Sequence, residues 1–125
     1  MSFSLVQKSK SYPVLPYETI KNTILGKHYA LTVIFIGEQR ALQLNITHRK
    51  ATYVPNVLSF PLTSDTGEIY ITSILARTEC KKFNLSPDGY IAFLYIHALL
   101  HLNGHTHSDT MEKAEKQYMK RFKIT

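Results

Sequence analysis

The sequence predicts an α/β or α+β layer fold assembled from four short strands and four or five helices. Three observations carry this. Runs rich in β-branched and apolar residues alternate with segments whose apolar positions recur at helical spacing, and elements interleaved in this way pack as helices on a sheet. The 125 residues are 44% hydrophobic and 19% charged, enough to bury one core and unlike the composition of a disordered chain. Glycine and proline, five each, stand mostly between the segments and mark turns, with no repeat, linker or low-complexity tract. The whole chain, residues 1–125, reads as one domain.

Each element has a local reason. Residues 3–7 (FSLVQ) read as a first strand. Pro13 and Pro16 interrupt the chain, and Tyr17 to Lys27 then reads as a helix on the spacing of Ile20, Ile24 and Leu25. Residues 30–36 (ALTVIFI) are apolar on both parities, as in a strand buried on both faces, and Gly37 ends them. Glu38 to Thr47 is a helix. His48 to Asn56 is basic and turn-like, with Pro55 excluding a helix there. Val57 to Phe60 is a short strand closed by Pro61. Asp65, Thr66 and Gly67 form a turn, and Glu68 to Ile74 alternates as a strand that can pair with 57–60. Leu75 to Phe83 is a helix. Ser86-Pro87-Asp88 opens the next with an N-cap, a first-position proline and a first-turn acid; it runs to about Asn103 and stops at Gly104. Ser108 or Asp109 caps a last, charged helix that ends near Phe122.

Composition narrows the function classes. Fifteen Lys and Arg against nine Asp and Glu give a net charge of +6, which draws a protein to polyanions such as RNA, DNA, ribosomes or acidic membranes. The single cysteine, Cys80, excludes an intramolecular disulfide and a four-cysteine zinc site, and fits a reducing compartment. Met1 to Lys10 holds only the apolar patch Phe3, Leu5 and Val6, too short for an export signal. The longest apolar run, Tyr90 to Leu102, contains His97 and His101 and is too short to span a bilayer. A cytoplasmic protein without membrane attachment is expected.

The strongest chemical signal is HALLHLNGHTH, residues 97–107. His97 and His101 lie one turn apart on one face of a predicted helix, a separation that lets two imidazoles reach one ion. Gly104 can take the left-handed conformation that turns the chain back, so that His107 supplies a third ligand. Three protein ligands leave zinc one open position, the catalytic arrangement. His105 leaves the turn two residues before His107 and is expected to be exposed or substrate-facing. The spacing HxxxHxxGxxH is that of the metzincin proteases, but their general base, a Glu directly after the first His, is replaced here by Ala98.

A second cluster spans residues 44–61, LNITHRKATYVPNVLSFP. Arg49 and Lys50 are candidates for phosphate contacts, Tyr53 for stacking on a base, and Ser59 for a further RNA contact. The last helix adds Lys113, Lys116, Lys120, Arg121 and Lys123, interleaved with Glu112 and Glu115, and reads as an ordinary solvated face.

With both clusters in view, the chain resembles the YbeY family of endoribonucleases and ribosomal RNA maturation factors. HALLHLNGHTH resembles that family's H-G-x-L-H-L-x-G-x-D-H metal motif. Residues 44–61 resemble its L-N-x-x-Y-R-x-K-x-x-P-T-x-V-L-S-F-P segment, and GEIYIT, residues 67–72, its G-D-I-x-I-S strand. The resemblance implies a mixed four-stranded sheet flanked by about five helices. It implies one zinc ion per chain on His97, His101 and His107, and single-strand-selective RNA cleavage in which Arg49 is important. It also implies maturation of small-subunit ribosomal RNA at its 3′ end and ribosome quality control, with single-stranded RNA and the small ribosomal subunit as partners. Three positions depart from the pattern: Ala98 for Gly, His48 for Tyr and Thr106 for Asp, with Asp109 the candidate to replace that last carboxylate. The alternative class is a non-catalytic, zinc-stabilised ribosome-assembly factor. A metallopeptidase is disfavoured by Ala98.

Overall fold

The structure, a computed structural model, describes residues 3–7, 13–106 and 108–124. Its order is β1 (Phe3–Gln7), α1 (Tyr17–Leu25), β2 (Ala30–Ile36), α2 (Glu38–Arg49), β3 (Val57–Thr63), β4 (Thr66–Thr72), α3 (Ser73–Glu79), a 3-10 turn (Cys80–Phe83), α4 (Pro87–Leu102) and α5 (Asp109–Arg121). The four strands form one sheet in the order β1-β2-β4-β3. β1, β2 and β4 run parallel, and β3 pairs antiparallel to β4 along one edge. This is the mixed four-stranded sheet with five flanking helices that the resemblance implies, and the element count agrees with the four strands and four or five helices read from the residues.

Side-chain alternation divides the interior. Leu31, Val33, Phe35, Ile69 and Ile71 point into the main core beneath α1, α4 and α5. Ile34, Ile36 and Leu58 point the other way, against Ala41 and Leu44 of α2. β2 is therefore buried on both faces, which its unbroken apolar run requires. α4 is the central helix of the main layer, and residues such as Ile96 and Leu99 are fully buried. Ser86 opens it as predicted, its hydroxyl accepting the Gly89 N–H at 3.0 Å.

Several boundaries differ from the expected ones. β3 continues through Pro61 to Thr63, because an edge strand tolerates a residue without an N–H and the register shifts between Pro61 and Thr63. Only Ser64 and Asp65 form the hairpin turn, and β4 already begins at Thr66. β4 ends at Thr72 rather than Ile74: its last partners are Ile36 on one side and Val57, opposite Ile71, on the other. Ser73 and Ile74 accordingly open α3. α1 stops at Leu25, before Gly26 at φ 92°, and α2 runs two residues further than expected, to Arg49. Among the described residues, no helix is long and apolar enough to cross a membrane.

Candidate functional site

An open cleft of about 620 Å³ lies between the edge strand β3 and α4. Arg49, Tyr53, Asn56 and Ser59 line one side; His97, Ala98 and His101 line the other. Both walls follow from local sequence. α2 ends at Arg49 because Lys50 takes the left-handed conformation at φ 54°, its N–H closing onto the Asn45 and Ile46 carbonyls. The buried Asn45 amide then donates to the Tyr53 carbonyl at 2.9 Å and ties down the returning loop. Thr72 fixes the far end of that loop, its hydroxyl donating to the Pro55 carbonyl at 2.8 Å and its N–H to the Asn56 carbonyl at 2.9 Å. Arg49 thus reaches the cleft from the end of α2, and Tyr53 from a braced loop.

On the α4 wall the two imidazoles stand nearly perpendicular, 4.6 Å apart between ring centres, and their Nε2 atoms face each other at 3.1 Å. Each ring is held from behind. His101 Nδ1 donates to the His105 carbonyl at 3.1 Å, and His97 Nδ1 donates to Oε2 of Glu115 on α5. A carbonyl and a carboxylate can only accept, so each neutral ring carries its hydrogen on Nδ1 and directs the Nε2 lone pair forward. Two lone pairs at that distance repel unless they share a positive charge. Nitrogen ligands about 2.0–2.1 Å from a tetrahedral ion lie about 3.3–3.4 Å from one another. The pair therefore has the separation and the polarity of two donors to one cation.

The backbone turn that follows α4 is also present. Gly104 adopts φ 93°, and the His105 N–H returns to the Leu100 carbonyl at 2.9 Å. His105 itself is partly buried, and its carbonyl is the acceptor that fixes His101. The expected third ligand, His107, lies outside the described residues. Among the described residues, no three His, Cys, Asp or Glu side chains gather as a metal-holding group.

A family model described as Endoribonuclease YbeY matches residues 8–123. The chain belongs to the YbeY family. It is 31% identical over 100 residues to the Endoribonuclease YbeY of Endomicrobium trichonymphae, covering 78% of this chain and 70% of that one. It is 31% identical over 104 residues to the Endoribonuclease YbeY of Alkaliphilus metalliredigens, covering 74% of this chain and 65% of that one. The solution structure of TM1509 from Thermotoga maritima superposes with a TM-score of 0.68 at 25% identity, covering 94% of this chain and 87% of that one.

Within the YbeY fold, five residues expected from the sequence meet at one cleft: Arg49, Tyr53, Ser59, His97 and His101. Lys50 does not line it; its backbone turns α2 into the loop, and its side chain is exposed. Asp109 is an exposed first-turn residue of α5, while the carboxylate beside the histidines is Glu115, only 7% exposed. α5 is thus not a wholly solvated face. Glu115 follows Met111 by one turn, among the inward-facing Ala114, Tyr118 and Phe122. An acid within an apolar stripe is the sequence signal that identifies it.

Asn56 also borders the cleft, although nothing in its sequence context marks it. Its amide donates to the Tyr90 hydroxyl at 3.2 Å and to Glu79 Oε1 at 3.4 Å, closing the α3 end of the cleft.

Proposed function

We propose that the protein is a metal-dependent, single-strand-specific endoribonuclease that acts in 3′-end maturation of small-subunit ribosomal RNA and in ribosome quality control. The observation that carries this reading is the opposed pair of Nε2 donors across one cleft from Arg49. The name Endoribonuclease YbeY on the relatives supports the same substrate class.

His97 and His101 would hold a single ion, zinc being the proposed metal, with His107 as third ligand. Imidazoles suit zinc, and a three-ligand set leaves a position open. When bound, the ion would supply positive charge that polarises a phosphate oxygen and acidifies a water molecule.

The rest is the work of the chain. Arg49 offers a planar fork of donors that pairs two oxygens of one phosphate and stabilises the negative charge that grows as the phosphodiester is attacked. Tyr53, 57% exposed at the rim, presents a ring on which an unpaired base can stack. Ser59 adds a hydroxyl on β3. A base held in a duplex cannot splay onto Tyr53, which makes the cleft selective for single strands. Ala98 offers no proton-transfer group next to His97, so the peptide-cleaving chemistry of the same histidine spacing lacks its base here.

The test compares cleavage of a single-stranded and a duplex RNA by the purified protein and by His101→Ala. Cleavage of the single strand alone, lost in the variant, is expected. Full activity of His101→Ala would sink the reading.

A further inference from the structure

We infer that Phe83, in the basic segment that carries Arg77, Lys81 and Lys82, is a second anchoring platform for the RNA strand, beyond the end of the cleft that Asn56 closes. This rests on the endoribonuclease reading above.

Phe83 closes the 3-10 turn after α3 and is 50% exposed, an unusual state for a large aromatic ring. Its covered side stacks on Tyr90, 5.0 Å between centres and 22° from parallel. Tyr90 is itself clamped, its hydroxyl donating to Glu79 Oε1 at 3.3 Å and accepting from Asn56 Nδ2 at 3.2 Å. Asn56 lines the cleft, so the platform is braced by the wall that borders the histidines. A second route leads to the same place: the Phe93 ring lies 5.8 Å from Phe83 and 6.1 Å from His97.

Charge selects the occupant. Arg77, Lys81 and Lys82 are exposed, and Glu79, the acid within α3, is turned onto Asn56 and Tyr90. Asp88 is the next carboxylate along the chain. A protein partner or a lipid surface calls for a broad apolar patch. An exposed ring in an exposed basic segment instead suits a polymer that alternates a flat base with a phosphate.

The experiment measures binding of a uridine trinucleotide and a uridine dodecanucleotide by fluorescence anisotropy. The wild-type protein should bind the longer strand more tightly. Phe83→Ala, and Phe83→Leu, which keeps apolar packing without a π face, should weaken dodecanucleotide binding about five-fold or more and leave the trinucleotide unchanged. Phe83→Trp should restore the length effect. A Lys81→Ala/Lys82→Ala variant should show a shallower salt dependence with the longer strand only. Dodecanucleotide binding that ignores the ring at position 83 overturns the platform while leaving the cleft's function intact. Failure of the wild-type protein to bind either strand overturns both.

Discussion

Glu115 Oε2 accepts the Nδ1–H of His97 from the neighbouring helix, so a residue of α5 sets which nitrogen of an α4 histidine faces the cleft. Outer partners of this kind tune metal affinity about 10–100-fold. Glu115→Ala should therefore weaken zinc binding within that range in a chelator competition, and Glu115→Gln, which keeps an acceptor oxygen, should weaken it less. Circular dichroism checks that both variants remain folded. Wild-type affinity in Glu115→Ala would remove the carboxylate from the site.

Arg49 is the charged side chain across the cleft from the imidazoles. Arg49→Ala should abolish most cleavage. It should also reduce the slope of log affinity against log salt by about 0.7 for a single strand, the contribution of one phosphate contact. Arg49→Lys keeps the charge but loses the bidentate fork, so it should recover the salt slope without recovering the rate. Retained turnover in Arg49→Ala would contradict this role. Lost ribosome association by a protein that never shows turnover would favour the assembly-factor class.

Ser86 caps α4 through the Gly89 N–H. Ser86→Ala should cost about 1 kcal/mol of stability in urea unfolding. The histidine pair lies about three to four turns further along the helix, so cleavage below the unfolding transition should not change.

Gly67 lies on β4 with no room for a side chain. A Cβ there would collide with the Tyr29 hydroxyl and come within 3.2 Å of both Leu102 Cδ2 and the Phe60 carbonyl. That hydroxyl is buried without a hydrogen-bond partner among the described residues. Tyr29→Phe should thus be nearly neutral, since it deletes an unpaired polar atom. Gly67→Ala should cost about 1–3 kcal/mol and distinctly less in the Tyr29→Phe background. Additive effects in the double variant would show that the two positions do not meet.

Burial is the leading cause of the raised pKa of Tyr29, Tyr70, Tyr90 and Tyr95, and neighbouring carboxylates such as Asp65, Glu68 and Glu79 push in the same direction. A phenol whose folded pKa exceeds its unfolded value of about 10 loses its proton first in the unfolded chain. Stability is therefore full below that pH and falls as pH rises above it. In an alkaline titration, part of the phenolate absorbance should appear only together with loss of the circular dichroism signal. A single non-cooperative curve for all eight tyrosines would contradict the burial of these rings.

What was legible in the sequence is what short-range chemistry decides. The N-cap and proline of α4, the one-turn spacing of His97 and His101, the glycine turn at 104 and the doubly buried run of β2 each depend on residues close in the chain. Strand ends are different. Ile74 continues the alternation of β4, yet neither neighbouring strand extends far enough to pair with it. Glu115 is separated from His97 by 18 residues, and only the docking of α5 on α4 joins them. Asn45 and Asn56 look like ordinary polar residues until the backbone and side-chain groups they hold are brought to them by the fold.

Ten of the sixteen residues of α4 are sunk in the apolar interior, and none of them is one of the two imidazoles. Apolar packing therefore anchors this helix, unlike a zinc finger, whose chain takes shape around its ion. If the two rings hold the proposed ion, a chelator should strip it and a salt solution restore it as simple exchange, with no passage through an unravelled chain.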